Sequence, residues 1–117
     1  MFKLVLHISD IERWQMALNN VNNAIASLKE NNAAFEIAVI ANAGAVKGYL
    51  DASIREQIHL LAHNNLQFFA CNNSLKGQNI SQEILNNADY PSSIDITPAA
   101  IIALVEYQQS GFSYVKP

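Results

Sequence analysis

The spacing of hydrophobic residues changes repeatedly along this chain of 117 residues. Short, nearly continuous apolar runs are typical of strands that are covered on both faces of a sheet. Apolar residues at steps of three and four indicate an amphipathic helix instead. The runs of the first kind predict three buried strands, at 2–8, 35–40 and 66–70, and two weaker ones, around 94–96 and at 112–115.

The intervals between these runs predict four helices, which end near residues 31, 64, 87 and 109. Ser9 to Glu12 has the form of a capping box, and Ser53 to Glu56 repeats that form. Thr97 stands before a proline, a residue that is favoured at the first position of a helix. We therefore expect Ser9, Ser53 and Thr97 to be helix caps.

Strands that alternate with helices indicate an α/β fold, because parallel neighbours need crossover connections and these are right-handed. The predicted fold is a three-layer α/β/α sandwich around a five-stranded, mostly parallel sheet, with a Rossmann- or flavodoxin-like architecture. Half of the residues are hydrophobic. A chain of this length buries one core without disulfides or a structural metal, so residues 1–117 are expected to form a single domain.

Charge and cysteine content narrow the functional classes. The formal net charge is −3 and the basic residues are scattered, so the basic stripe needed for nucleic-acid binding is missing. No apolar run approaches the roughly 18 to 20 residues that cross a bilayer. One cysteine cannot form an internal disulfide, and the N-terminus lacks the pattern of a secretory signal. These observations predict a soluble cytoplasmic protein that contacts neither nucleic acid nor membrane.

The candidate functional residues lie at the ends of the predicted strands, since open α/β sheets bind ligands at the carboxyl ends of their strands. His7 ends the first strand, Asn42 and Gly44 lie in a small-residue loop at 41–45, and Cys71 ends the third strand. Amide groups of a helix beginning after Cys71 would stabilise a thiolate, as would a nearby imidazolium from His7. Two structural alternatives remain: Cys71 as a small buried hydrophobe and His7 as a core histidine.

Other motifs carry weaker signals. His59 and His63 lie four residues apart, a spacing that can bind a metal, but a solvated helix face explains them better. Gly44 and Gly48 fit neither G-x-G-x-x-G nor the P-loop pattern. No G-x-S-x-G elbow accompanies the serines. We expect no metal and no cofactor.

Four segments together resemble the DsrE/DsrF-like family of small sulfur-relay and sulfur-oxidation proteins. They are Leu-Val-Leu-His-Ile at 4–8, Ala-Asn-Ala-Gly at 41–44, Phe-Ala-Cys-Asn-Asn-Ser-Leu at 69–75, and the closing stretch 109–117. The resemblance implies a five-stranded parallel sheet between helices and assembly into trimers or hexamers. In the family's sulfur-transferring members, a cysteine at the end of the third strand takes up sulfane sulfur as a persulfide and passes it to a partner protein.

Carried over to this chain, the resemblance makes Cys71 the persulfide carrier, with sulfur donor and acceptor proteins as partners. We expect His7 to favour the thiolate, and Asn42 or Asn72 to hydrogen-bond the anionic sulfur. The predicted ligand-binding residues are Asn42, Gly44, Asn72 and Asn73. Two alternatives remain open: a non-catalytic module that binds a small anionic or sulfur-containing ligand, and a subunit whose role is assembly.

Overall fold

A computed structural model describes residues 1–90 and 92–117, and a sheet of five parallel strands forms its centre. The strands are β1 (Phe2–Ile8), β2 (Phe35–Ala41), β3 (Leu66–Cys71), β4 (Asp95–Thr97) and β5 (Ser113–Val115). Their order is β4-β3-β2-β1-β5. The first three connections step in one direction and the last crosses to the far side of β1. The predicted α/β fold is confirmed, and its strand order reverses between β1 and β5.

In the part of the chain that the structure describes, five α-helices cover the sheet. They are α1 (Trp14–Glu30), α2 (Ala52–Leu60), α3 (Asn72–Gly77), α4 (Gln82–Leu85) and α5 (Ala100–Gln109). Because crossovers are right-handed, α1 to α4 pack on one face and α5, whose connection runs the other way, packs on the opposite face. In the residues described, no helix is both long and apolar enough to cross a membrane.

The two faces have separate cores. The core beneath α1 to α4 contains Trp14, Val21, Tyr49, Phe68 and many aliphatic side chains. The core beneath α5 is smaller and consists of Val5, Ala38, Ile40, Cys71, Ala100, Leu104 and Phe112. Alternate residues of each strand point to opposite faces, which explains how neighbours such as Ala70 and Cys71 enter different cores.

The predicted small-residue loop after β2 is largely a 3₁₀ helix, Ala43–Leu50. Its buried residues, Ala45, Val46 and Tyr49, join the core beneath α1 to α4. A Cβ atom at Gly48 would lie 2.0 Å from the indole Nε1 of Trp14. Packing against Trp14 therefore explains this glycine, and no phosphate needs to be invoked.

The three predicted caps are wrong. Helix α2 begins two residues earlier than the motif implied, and the carboxylate of Asp51 accepts the N–H of Ile54 at 3.0 Å. A short 3₁₀ helix, Ile11–Arg13, separates Ser9 from α1 and makes Asp10 the residue at its N-cap. Thr97 is held extended by pairing with Cys71, so α5 begins only after Ala99.

Arg55 is a buried cation on α2, although the sequence analysis counted it only among the scattered basic residues. Its Nη1 donates to the carbonyl oxygens of Tyr49, at 3.2 Å, and of Leu85, at 2.6 Å. Its Nη2 donates to the carbonyl of Ser92, and the guanidinium lies 4.0 Å from the centroid of the Tyr90 ring. A buried charge needs such partners, and through them Arg55 ties the segment between α4 and β4 to the rest of the fold.

Candidate functional site

Cys71 lies where β3 ends and α3 begins, on the α5 side of the sheet. It is the N-cap residue of α3 and only 5% exposed. Its Sγ accepts the N–H of Ala100, the first residue of α5, at a distance of 3.4 Å. The N-terminal ends of two helices therefore meet at one sulfur atom, and the unpaired amides of a helix N-terminus favour negative charge.

The surroundings lower the pKa of the Cys71 thiol. Burial acts in the opposite direction and is the largest single influence, since it disfavours the charged form. Hydrogen bonds from the Ser74 hydroxyl and from the amides of Ser74, Ala100 and Asn73 together outweigh burial. The net effect is a thiol that ionises more readily than an ordinary cysteine, which is the property of a nucleophilic or sulfur-carrying residue.

Ser74 connects Cys71 to the loop after β2. Its Oγ accepts the N–H of Ala43 at 2.8 Å, which leaves the hydroxyl proton for the sulfur. Ala43 has a φ of +49°, a backbone conformation that costs an L-residue about 1–2 kcal/mol. Strain of this kind persists where the surroundings impose it. Ser74 was not among the predicted site residues, and no local motif singles it out, since a capping box has Glu or Gln at this position and Ser or Thr at the N-cap.

His7 takes part in a second polar cluster, with Asn42 and Tyr114. The Nε2 atom of His7 lies 2.9 Å from Oδ1 of Asn42, and Nδ1 lies 2.6 Å from the hydroxyl of Tyr114. An amide oxygen only accepts, so Nε2 carries the proton and, in the neutral ring, Nδ1 accepts from Tyr114. This cluster extends from the end of β2 across β1 to β5, and so includes the place between β1 and β5 where the strand order reverses.

The structure does not bring His7 to Cys71. His7 is in register with Ile40, and Ile40 is in register with Phe69, two residues before Cys71. Two strand spacings and two residues of rise put the Cα atoms of His7 and Cys71 about 12 Å apart. The groups that lower the Cys71 pKa do not include His7. Both residues lie on the α5 side of the sheet, but in separate clusters.

The other predicted site residues have different positions. Asn73 contributes its backbone amide to the sulfur. Oδ1 of Asn72 accepts from the side chain of Gln82 at 3.4 Å, and Asn42 binds His7. Gly44 faces open space, since a Cβ there would have no neighbour within 4 Å.

The histidines of α2 and the loop after it show no sign of a metal site. The Nδ1 atom of His63 accepts the N–H of Asn65 at 3.1 Å, and its ring packs against Phe35. Throughout residues 1–90 and 92–117, no three or more His, Cys, Asp or Glu side chains cluster as metal ligands would.

A cavity of about 420 Å³ lies beside α5 and ends close to Cys71. One wall includes Thr97, the register partner of Cys71 on β4. Phe69, two residues before Cys71 on β3, forms part of the floor. Cys71 itself is not among the lining residues, so the thiol and the cavity are neighbouring features.

Comparisons with known proteins agree with this fold. The sequence model of the DsrE/DsrF-like family matches residues 12–117. The solved structure of the MTH1491 protein of unknown function from Methanobacterium thermoautotrophicum shares the fold with a TM-score of 0.81, at 23% sequence identity and with 100% of both chains covered. The ychN protein from E. coli has a TM-score of 0.67 at 13% identity, again with 100% of both chains covered. The BT1422 protein of unknown function from Bacteroides thetaiotaomicron has a TM-score of 0.60 at 17% identity, with 97% of this chain and 94% of that chain covered. A search of curated protein sequences finds no match.

Proposed function

The chain belongs to the DsrE/DsrF-like family, and we propose that it is a persulfide carrier or sulfurtransferase that acts through Cys71. Family membership is consistent with a role in sulfur relay. The observation that carries the finer proposal is the position of Sγ at the N-terminus of α3, where it also accepts the first amide of α5. We assign this activity to the cytoplasm, where thiols stay reduced.

The proposed reaction is thiol exchange in two steps. The Cys71 thiolate attacks the outer sulfur of a donor persulfide, the donor S–S bond breaks, and the donor leaves as a thiolate while Cys71 becomes Cys–S–SH. An acceptor thiolate then attacks that outer sulfur, and Cys71 leaves as a thiolate. No net oxidation occurs. Hydrogen bonds that stabilise the Cys71 thiolate help the second step, since a thiol of lower pKa leaves faster.

We assign His7 and Asn42 a positioning role in this reaction. His7 holds Asn42 through a hydrogen bond of 2.9 Å, and Asn42 directly precedes Ala43, whose amide binds Ser74. Ser74 in turn is one of the groups that lower the pKa of Cys71. The influence of His7 on Cys71 would therefore pass through this chain of contacts and not through an imidazolium beside the thiolate.

The test is the intact mass of the protein after incubation with polysulfide and alkylation of the product. We expect a gain of one sulfur atom in the wild type, none in Cys71→Ser, and loss of the added sulfur when a thiol acceptor is supplied. Because Cys71 is the only cysteine, the mutant is a complete control. A folded wild type that gains no sulfur would contradict the proposal and favour the non-catalytic ligand-binding alternative.

We further propose that identical chains assemble, in line with the trimers or hexamers that the family resemblance implies. The observation that supports this is the outer surface of α5, where Ile101 is 69% exposed and Ile102 and Val105 are also exposed. Exposed aliphatic side chains on one helix are typical of an interface. Sedimentation equilibrium should show an assembly that Ile102→Asp dissociates. A wild type that sediments as a monomer would refute the proposal.

A further inference from the structure

We propose that the cavity beside α5, here called the α5 groove, binds a small organic cation: an ammonium group attached to an apolar body. The groove lies between α5 and strands β2, β3 and β4. Its volume of about 420 Å³ falls within the range typical of small-molecule sites. The proposal is independent of sulfur transfer and concerns a different set of side chains from those around Cys71.

The floor of the groove is apolar and aromatic. Phe69, Ala103, Tyr107 and Phe112 line it. The Tyr107 ring meets Phe112 edge-on at a centroid distance of 4.8 Å and meets Phe69 at 6.1 Å. Side chains that support one another in this way form a preformed surface for an aliphatic or aromatic body.

The charge of the groove selects a cation. Glu36 on β2 and Glu106 on α5 both line it, and none of the lining residues is Lys, Arg or His. The pKa of Tyr107 is raised, first by burial and then by the carboxylates of Asp95 and Glu36, which shows that the local field is negative. An anionic ligand would be repelled, so the groove does not suit the small anion considered in the sequence analysis.

One end of the groove already lies next to an ammonium group. The Nζ atom of Lys3 donates to the carbonyl oxygen of Ser110 at 3.2 Å and lies 5.5 Å from the centroid of the Phe112 ring. Ser110 and Phe112 are lining residues, whereas Lys3 is not. The ammonium group of Lys3 therefore already occupies this end, where carbonyl oxygens and an aromatic face favour positive charge. The ammonium of a ligand is expected further along the groove, beside Glu106.

The other end holds the hydroxyl of Thr97. Thr97 is 8% exposed and lines the groove. Its hydroxyl oxygen is not a buried atom that lacks a partner among the described residues, so it stays accessible from the groove. A ligand group that hydrogen-bonds this hydroxyl can therefore take the place of water there.

The test compares hexylamine, 1-hexanol and hexanoate, three probes that share a body and differ in charge. NMR titration should follow the methyl groups of Ala103 and Ile96, which line the groove. We expect hexylamine to bind with a dissociation constant in the roughly millimolar range, as befits so small a ligand. Hexanoate should bind at least about tenfold more weakly, and added salt should weaken hexylamine binding.

Matched variants identify the carboxylates that bind the ammonium group of hexylamine. Glu106→Gln should weaken hexylamine binding about two- to fivefold, the effect expected for an exposed charge, and adding Glu36→Gln should weaken it further. Glu83→Gln, an exposed position on α4, is the control and should have no effect. Cys71→Ser should bind hexylamine as the wild type does, which separates this test from the test of sulfur transfer.

Three results would overturn the proposal. The first is equal binding of hexanoate and hexylamine, which would show that charge does not select the ligand. The second is an equal loss of binding in Glu83→Gln and Glu106→Gln. The third is the absence of any shift at Ala103 and Ile96, including the case in which self-association covers the groove.

Discussion

The two faces of the sheet differ in how many apolar side chains they bury. Among the described residues, the face beneath α1 to α4 buries 23 in one core, whereas the face beneath α5 buries seven, and one of these seven is Cys71. Four helices on one side and one on the other account for this difference. The lightly covered face is also the one that carries the His7 cluster, the Cys71 thiol and the α5 groove. A sheet with one densely packed face can leave the other face free for polar residues.

The largest effect should come from truncating the densely packed face. Trp14 is 1% exposed, stacks near Tyr49 and Phe68, and donates its indole N–H to the Ala45 carbonyl at 2.8 Å. Trp14→Ala should lower the free energy of unfolding by about 3–5 kcal/mol. Leu104→Ala, in the smaller core, should cost about 2–3 kcal/mol, at the low end for a buried leucine. Urea denaturation measures both, and a larger loss in Leu104→Ala would reverse the comparison.

A smaller effect should follow from adding one methyl group to the same face. Gly48→Ala places a Cβ against the Trp14 indole, and overpacking of this kind costs about 1–3 kcal/mol. Gly44→Ala is the matched control, because a Cβ there meets no neighbour, and it should stay within about 0.5 kcal/mol of the wild type. Thermal or urea unfolding measures the loss of stability in both variants. Equal losses would mean that contact with Trp14 is not what requires glycine at 48.

On the α5 face, the expected change lies in reactivity more than in stability. Ser74→Ala removes the hydroxyl that stabilises the Cys71 thiolate, so the pKa of Cys71 should rise. The pH profile of alkylation by iodoacetamide should then move to higher pH. Tyr114→Phe, which removes the partner of His7 Nδ1, should shift the profile by less, because the proposed influence of His7 on Cys71 passes through Asn42, Ala43 and Ser74. A larger shift in Tyr114→Phe than in Ser74→Ala would contradict this order.

The smallest effect concerns stability as a function of pH. The pKa of Cys71 is lower in the folded protein than in the unfolded chain, so ionisation of the thiol favours folding. The contribution is fully present above the unfolded pKa and is lost as the pH falls through the folded one. The free energy of unfolding of the wild type, relative to Cys71→Ser, should therefore increase with pH across that window. A difference that stays flat or decreases would show that the thiol ionises no more readily in the folded state.

The strands were the part of the fold that could be predicted best. Their apolar runs are continuous because both faces of a parallel sheet are covered, and β1 to β3 lie within one residue of the predicted bounds. Helix starts were predicted worst. A capping pattern of two residue types recurs by chance, and Asp51, two residues before Ser53, had the better geometry for the amide of Ile54.

The sequence by itself determined the parallel α/β fold and the position of Cys71 at a strand end, because hydrophobic spacing is a local property of the chain. Only the tertiary structure decided the strand order, which places β2 between His7 and Cys71. It also decided that the amide of Ala100, 29 residues further along the chain, meets the sulfur. Contacts of this kind depend on which side of the sheet each crossover takes. No local pattern encodes that choice, since it follows from burying all the apolar faces at once.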